Sequence, residues 1–269
     1  MKKLDSTKDE MPDKASAFQP HDIEWTPEKI TRFWMMKVQN PSRQYFSSMH
    51  CGEVVRVAEQ QGVLQEPVLD FGAGPGYLTE YLLQKNIHCS ACDSSPESME
   101  ELASRMARYP SFGKAYVLKD TEKVLPSNTF GLVFLCEVME HVLPDARPAV
   151  LATVRDSIRE MGYVLVTVPN EENLKAKFVF CADCGAAFHP VQHVASFDKA
   201  SMTNMMEENG FSTVFCEPVR LWQLAEEQQR LGKRLRRGLR KGLEHLHLVS
   251  PHSSRIPNLV YIGRKTGTV

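Results

Sequence analysis

The stretch Val68–Thr79, VLDFGAGPGYLT, constrains the fold more than any other part of the chain. It opens with two aliphatic residues that suit a buried strand, and Asp70 lies near the end of that strand. The glycines that follow allow the backbone to turn tightly against a ligand: Gly72, Gly74 and Gly76. A helix predicted to begin at Tyr77 would direct its free N–H groups toward that turn. The stretch therefore predicts an α/β fold with a ligand at the glycine turn.

The spacing of these glycines disfavours a nicotinamide cofactor. A dinucleotide-binding turn needs the pattern G-x-G-x-x-G, and Tyr77 occupies the position of its third glycine. A glycine-rich turn alone is a weak signal, so the prediction of a ligand depends on the residues that follow it.

Composition and charge limit the class of protein. At 269 residues the chain can bury a full core, and one domain with additions is expected. Its formal net charge of -1 predicts no global attraction to nucleic acid. No apolar run approaches the ~18 residues of a membrane span, and the N-terminus lacks the apolar core of a signal peptide. Seven cysteines, an odd number, favour a reducing, cytoplasmic location over a disulfide framework.

The order of patterns along the chain predicts three parts. Residues 1–24 are polar and are expected to form a flexible tail, and residues 25–62 carry two helical patterns of an N-terminal cap. Strands and helices alternate through residues 63–269, which predicts a doubly wound, mostly parallel α/β sheet. Two C-terminal segments, Ser212–Glu217 and Leu259–Gly263, are predicted to complete it as the sixth and seventh strands.

Acidic residues follow the predicted strands of this sheet. In an open parallel sheet the ligand lies beyond the carboxyl ends of the strands. Asp93 ends the second strand, 17 residues past Gly76, where a carboxylate can accept hydrogen bonds from two ribose hydroxyls. Asp120 follows the third strand and could meet an adenine amino group, and Glu137 follows the fourth. These positions predict a nucleoside-containing ligand at that edge.

Four segments resemble, in order, the motifs of the class I S-adenosylmethionine (SAM) methyltransferases: VLDFGAGPGYL, ACDSS, LPSNTFGLVFLCEVMEHV and GYVLVTVPNEENL. The resemblance covers roughly Pro67 to Phe211 and departs from the family at Gly131, where the family often has Asp. It implies a Rossmann-like fold and methyl transfer from SAM. It also implies a cofactor site made of these residues: Asp70, Gly72, Gly74, Gly76, Tyr77, Asp93, Asp120 and Glu137.

Acceptor chemistry is predicted at Glu137-Val-Met-Glu140-His141, whose polar positions are expected on one face of a helix. A hydroxyl acceptor must lose a proton, either to a base or with the help of a metal ion. The pattern resembles that of the ubiquinone-pathway O-methyltransferases and the small-RNA 2′-O-methyltransferases, in which these residues bind a divalent cation. Three interpretations stay open: a cation at Glu137, Glu140 and His141, a metal-free base or substrate contact, or an ordinary helix start.

A second metal site is predicted in the insertion at residues 180–195, CADCGAAFHPVQH and its flanks. Cys181, Cys184, His189 and His193 have the spacing of a zinc knuckle, and two thiolates with two imidazoles satisfy tetrahedral zinc. Unligated surface thiols are the alternative. His193 has three candidate roles, because it could serve this zinc, a catalytic metal or, with Glu140 and His141, the acceptor.

A basic segment, residues 229–243, contains RLGKRLRRGLRK, in which seven of twelve residues are basic. It is predicted to form a helix with one leucine stripe. The helix could be solvated and packed by its leucines, could contact an anionic membrane surface, or could hold a phosphate-bearing acceptor.

The sequence as a whole predicts a methyltransferase that acts on an oxygen or nitrogen of a small molecule, such as a sugar or another metabolite of bacterial secondary or cell-envelope metabolism. Ribose 2′-O-methylation of RNA is the alternative activity, although the neutral charge and the absence of a recognised RNA-binding motif disfavour nucleic acid. A non-catalytic scaffold of the same fold is the third hypothesis.

Overall fold

The computed structural model describes residues 19–39, 45–118, 123–222 and 257–267. Asp120, the basic segment and residues 1–18 of the predicted tail lie outside these ranges. The described strands are β1 (His21–Asp22), β2 (Val68–Phe71), β3 (Cys89–Asp93), β4 (Phe112–Val117), β5 (Phe130–Cys136), β6 (Ile158–Pro169), β7 (Val179–Phe180), β8 (Ala186–Phe188), β9 (Phe211–Val219) and β10 (Asn258–Lys265). The α-helices are α1 (Pro27–Gln39), α2 (Phe46–Gln60), α3 (Tyr77–Gln84), α4 (Pro96–Met106), α5 (Arg147–Ser157) and α6 (Lys199–Glu208).

Seven strands form the main sheet in the order β4-β3-β2-β5-β6-β10-β9. The first five strands of this order pair in parallel, and β10 pairs antiparallel with both β6 and β9. The doubly wound, mostly parallel seven-stranded α/β prediction is therefore confirmed. The chain leaves β2 toward β3 on one side and later returns to β5 on the other. The sheet therefore has its topological switch point between β2 and β5, where ligands bind in such folds.

Helices cover both faces of the sheet, as the alternation of side chains along β5 shows. Leu132 and Phe134 belong to a buried cluster that includes residues of α2, α3 and α4. Val133 and Leu135 belong to a second cluster that includes residues of α5 and α6. Because successive side chains of a strand point to opposite faces, a continuous apolar run is required for a strand that is buried on both.

The insertion forms a small sheet of three strands, in the order β1-β8-β7. His21 and Asp22 of β1 pair in parallel with Ala186 and Ala187 of β8. The boundary predicted for the flexible tail at residue 24 is therefore too late, because β1 supplies an edge strand to the insertion. A strand of two residues carries no periodicity that the sequence could have revealed.

The segment after β5 does not form the predicted helix at Glu137–His141. Glu137 has a positive φ of 55°, which breaks the helical path immediately after the strand. His141 then donates its backbone N–H to the Val138 carbonyl at 3.0 Å, as in a tight turn, and a 3₁₀ helix begins only at Pro144. The polar residues of the E-x-x-E-H pattern therefore share a turn and not a helix face.

None of the helices among the described residues is long and apolar enough to cross a bilayer.

Gly131 offers a test of how tightly the chain packs around the N-terminal end of the central strand β5. A Cβ atom there would lie 2.4 Å from the Gln65 carbonyl oxygen, whereas a Cβ at Gly267 would meet no described atom within 4 Å. We expect Gly131→Ala to lower the free energy of unfolding by about 1–3 kcal/mol, the usual cost of overpacking. Urea denaturation measures the change, and Gly267→Ala is the matched control. Equal stability of the two variants would contradict this packing.

Candidate functional site

The three glycines of the turn after β2 lie in different packing environments. All three have positive φ angles, of 75° at Gly72, 50° at Gly74 and 78° at Gly76. A Cβ at Gly72 would lie 2.6 Å from Cγ2 of Val138, and one at Gly76 would lie 2.5 Å from Cδ1 of Leu102. At Gly74 a Cβ would meet none of the described atoms within 4 Å. Two glycines therefore allow close packing, and Gly74 leaves open space beside the turn.

Asp70 stabilises the turn by binding the first turn of α3. Its Oδ2 accepts hydrogen bonds from the Thr79 backbone N–H at 3.1 Å and from the Thr79 hydroxyl at 2.7 Å, so it satisfies a free donor of the first turn of α3. Asp70 is only 3% exposed, and burial raises its pKa to about 6. Asp70 therefore positions the turn through Thr79, and its predicted contact with the cofactor stays a prediction.

Asp93 lies at the end of β3 and faces the turn as the sequence predicts. Its Oδ2 accepts a hydrogen bond from the Gly74 N–H at 2.9 Å, and its Oδ1 accepts one from the Ser95 N–H at 3.1 Å. The carboxylate is thus held by two backbone donors beside the most open part of the turn.

Two tyrosines border the same region. The rings of Tyr45 and Tyr77 lie 6.2 Å apart, with Tyr45 immediately before α2 and Tyr77 at the start of α3. Burial first, and then the nearby Tyr77 and Asp93, raise the pKa of the Tyr45 hydroxyl. Tyr45 is missing from the site predicted by sequence, where its position in a short polar stretch before a helix was the only signal.

Two buried glutamates follow β5. Oε1 of Glu137 accepts hydrogen bonds from the Thr167 hydroxyl at 3.0 Å and from the Asn258 amide at 3.1 Å. Glu140 is fully buried, and its carboxyl group lies beside that of Glu137 but makes no hydrogen bond of good geometry to the described residues. Burial raises the pKa of Glu137 to about 7, and burial together with the neighbouring Glu137 raises that of Glu140 well above its ordinary value. An unpartnered buried carboxyl group is costly in a fold, so it indicates a site for a ligand.

Histidines complete this cluster. The rings of His141 and His193 lie 4.8 Å apart, and a ligand atom from each lies within 4.8 Å of the Glu140 carboxylate. Burial lowers the pKa of His141 to about 3, so its imidazole is neutral at neutral pH. The predicted trio of Glu140, His141 and His193 is therefore brought together. Glu137 is bound to β6 and β10 through Thr167 and Asn258.

Gln192 connects the cluster to the N-terminal cap. Its side chain is fully buried; Nε2 donates to the His141 carbonyl at 3.1 Å, and Oε1 accepts from the Trp34 indole N–H at 2.9 Å. The Trp34 ring also contacts the His141 ring edge-on at 5.0 Å. Helix α1 therefore covers this end of the site, and sequence reasoning did not identify either contact.

Glu172, which sequence reasoning missed, is the centre of a second cluster. Its carboxylate pairs with Nδ1 of His193 and with the Lys177 ammonium, and Oε1 lies 3.6 Å from Nε2 of His189. The rings of His189 and His193 stack at 4.4 Å. Although burial raises the pKa of Glu172, its contacts with the two histidines and the lysine hold it well below the ordinary value.

The structure does not assemble the four predicted zinc ligands. The cysteines lie at the turn between β7 and β8, where Gly185, at a φ of 80°, donates its N–H to the Cys181 carbonyl at 2.8 Å. Among the described residues, the groups whose ligand atoms lie within 4.8 Å of one another are Glu140–His141–His193 and Glu172–His189–His193, and neither contains Cys181 or Cys184. His189 and His193 turn toward Glu172 in the interior, while Cys184 is exposed. The four predicted ligands therefore do not lie together in this structure, and zinc binding by the cysteines stays a prediction.

Comparison with known proteins identifies the family. The sequence matches the family described as a methyltransferase domain over residues 31–214, which is more than half of the chain. The chain belongs to this methyltransferase family. No curated protein matches the chain in sequence.

Solved structures share the fold of this methyltransferase. The 1,6-didemethyltoxoflavin-N1-methyltransferase of Burkholderia thailandensis, solved with 1,6-didemethyltoxoflavin and S-adenosylhomocysteine, is 17% identical, with a TM-score of 0.62 over 92% of this chain and 94% of that one. A SAM-dependent methyltransferase from Clostridium acetobutylicum is 11% identical, with a TM-score of 0.56 over 89% and 99% of the two chains. A putative sarcosine dimethylglycine methyltransferase from Galdieria sulphuraria is 12% identical, with a TM-score of 0.54 over 88% and 98%. At these identities the likeness concerns the fold.

The role of Asp70 predicts a pH dependence of stability. Its pKa is about 6 in the folded protein against an ordinary 3.8, so the folded state binds the proton more tightly. Stability from this group is therefore full below about pH 4 and falls, by on the order of 3 kcal/mol, as the pH rises through 6. We expect the unfolding free energy of Asp70→Asn, relative to wild type, to rise between pH 4 and pH 7 by about that amount. Denaturant titrations of the ligand-free proteins measure it, and a constant difference would contradict the assignment.

Proposed function

We propose that this methyltransferase transfers a methyl group from SAM to an oxygen or nitrogen of a small-molecule acceptor. The observation that carries the proposal is the contact of Val138 with the glycine turn, since it sets the turn directly beside the Glu140 cluster. A donor held at the turn and an acceptor held at the cluster would then be neighbours. The Burkholderia structure, which holds S-adenosylhomocysteine and a small molecule together, supports this arrangement.

The residues of the turn suit SAM. Gly74 leaves the open space that a nucleoside-bearing ligand needs against the backbone, and α3 begins at the same place. Asp93 has further lone pairs for the ribose hydroxyls, and Tyr45 and Tyr77 offer apolar surfaces nearby. SAM would supply a methyl group that is already activated by its sulfonium, so the protein mainly has to orient the acceptor.

The cluster can handle the proton that the acceptor loses. His141 is neutral at neutral pH, because burial lowers its pKa to about 3, and burial also lowers the pKa of His193, so a ring nitrogen can accept a proton or hydrogen bond from the acceptor. Burial and the neighbouring Glu137 raise the pKa of Glu140, which favours the carboxylic acid form that can donate a hydrogen bond to a polar acceptor atom. The cover formed by Trp34 and Gln192 restricts water at this end.

A metal-assisted reaction is the second candidate, and the unpartnered carboxylate of Glu140 favours it. Glu140, His141 and His193 have the donor types and spacing for a divalent cation, with His193 taking the place predicted for Glu137. Such an ion would lower the pKa of an acceptor hydroxyl, as ribose methylation of RNA would also require. Turnover that is lost on chelation and restored by a divalent transition-metal ion such as Mn²⁺ would favour this candidate.

The open space at Gly74 gives a test of the donor site. We expect Gly74→Ala to weaken SAM binding at least tenfold, about 1.4 kcal/mol, because its methyl group would occupy the ligand's place. Gly62→Ala is the matched control, since Gly62 also has a positive φ, of 68°, and open space around it but lies at the end of α2. Isothermal titration calorimetry of both variants measures the affinities. An equal loss in the two variants would show a general effect of backbone strain.

The cluster gives a test of the acceptor site. We expect Glu140→Gln and His141→Asn each to lower kcat by about 10²–10⁴-fold while the Kd for SAM stays unchanged, because general acid–base groups contribute that much. The exposed His88, immediately before β3, provides the control variant His88→Asn. Normal turnover in both cluster variants would remove these residues from the mechanism.

Transfer from radiolabelled SAM into a host-cell extract tests the acceptor class. Label in the low-molecular-mass fraction, resistant to nuclease and protease, is the expected result. Label in nuclease-sensitive material would favour RNA ribose methylation instead.

A further inference from the structure

We propose that Glu172, His189 and His193 form a binding site for one transition-metal ion, with Zn²⁺ as the first choice. The site uses none of the cysteines of the C-x-x-C turn. The proposal rests on the geometry of the second cluster and is independent of the methyl acceptor.

The donor set has the chemistry of a zinc site. Two imidazoles and one carboxylate are a common set of three protein ligands for zinc, with a further position left for water or another group. Nitrogen donors favour zinc and its neighbours in the periodic table over Mg²⁺ and Ca²⁺, which prefer oxygen. One ligand atom from each of the three residues lies within 4.8 Å of the others, so a small contraction would close them around an ion.

An unpartnered polar atom lies at the proposed site. Nε2 of His189 is buried in a side chain that is 2% exposed, and it has no hydrogen-bond partner among the described residues. It lies 3.6 Å from Oε1 of Glu172, which is too far for a hydrogen bond. Buried polar groups are almost always satisfied, so a ligand between His189 and Glu172 would remove an unfavourable feature of the fold.

Backbone contacts hold both ligand-bearing segments in place. On one side, Glu171 donates its N–H to the Phe197 carbonyl at 2.8 Å, which fixes the chain beside Glu172. On the other side, Gln192 has a positive φ of 60° and donates its N–H to the His189 carbonyl at 2.9 Å, so the chain turns between the histidines. The Gln192 side chain is itself held by Trp34 and His141. The three ligands are therefore preorganised by contacts that need no ion.

An ion-pair network without metal is the competing explanation. In that case Glu172 only neutralises Lys177 and orients His193 through Nδ1. It leaves Nε2 of His189 unsatisfied, whereas an ion bound there would pair with it while the ring proton moves to Nδ1. Lys177 is partly exposed and can move toward solvent when the ion takes its place.

An ion held through Nδ1 of His193 would also act on the acceptor cluster. It would fix the His193 ring, whose centroid lies 4.8 Å from that of His141. It would also connect the segment after β6, at Glu172, to the insertion. The site would thereby stabilise the segment between residues 172 and 193 beside the proposed acceptor. The ligand set of a metal site and the residues behind it commonly set the orientation of neighbouring groups in this way.

The test is the metal content of the full-length protein, prepared with Zn²⁺ and dialysed. We expect wild type and the double variant Cys181→Ser/Cys184→Ser to retain roughly one zinc per chain, and Glu172→Gln and His189→Gln each to lose most of it. Lys177→Met should bind zinc at least as tightly as wild type, because it removes a competing cation. Circular dichroism and SAM titration check that each variant is folded.

Substitution of Co²⁺ into wild-type protein gives a readout that needs no variant. A site of nitrogen and oxygen ligands shows visible d–d bands without the intense near-ultraviolet charge transfer that thiolate ligands cause. Strong thiolate charge transfer, or zinc lost from the cysteine variant and kept by the His189 and Glu172 variants, would overturn the proposal in favour of a cysteine site. Zinc absent from wild type after dialysis would overturn it in favour of the ion-pair network.

Discussion

The contact between Val138 and the backbone of Gly72 is the constraint on which the site depends. It joins the turn after β2 to the turn after β5, at the switch point of the parallel sheet. Gly72 lacks a side chain where the Val138 methyl lies, so the two turns can approach within van der Waals distance. Through this contact the turn that carries Gly74 packs against the segment that carries Glu140. A side chain at position 72 would separate the two halves of the proposed reaction.

Burial of charge dominates the other end of the site. Four ionisable side chains lie close together there with little solvent: Glu137, Glu140, His141 and Glu172. The pKa values of Glu137 and Glu140 are raised, and those of His141 and Glu172 are lowered. Glu137 is stabilised by Thr167 and Asn258, and Glu172 by Lys177 and His193. Glu140 and Nε2 of His189 have no such compensation among the described residues. Groups of this kind reduce stability and are expected where a protein binds a ligand. The proposed acceptor site and the proposed zinc site are the two places where this occurs around His193.

The sequence predicts the fold well because its signals are local. A glycine turn between an apolar strand and a helix, and an acid at the end of the next strand, have a fixed spacing, so Asp93 could be assigned to the turn before its bond to Gly74 was seen. The roles of Asp70 and Glu137 were not predictable, since strand-end spacing does not tell whether a carboxylate faces the ligand or its own scaffold. The C-x-x-C-x4-H-x3-H spacing fits a knuckle, but the direction of each side chain depends on β1 and on Glu172, which come from distant parts of the chain.

A crystal structure with S-adenosylhomocysteine bound would test the central claim most directly. The account predicts that the ribose hydroxyls bond to Asp93, that the adenosyl group lies against Gly74, and that the sulfur faces the cluster of Glu140, His141 and His193. The account would be contradicted if the sulfur faced a different group of polar side chains. This holds even if the ligand occupies the glycine turn.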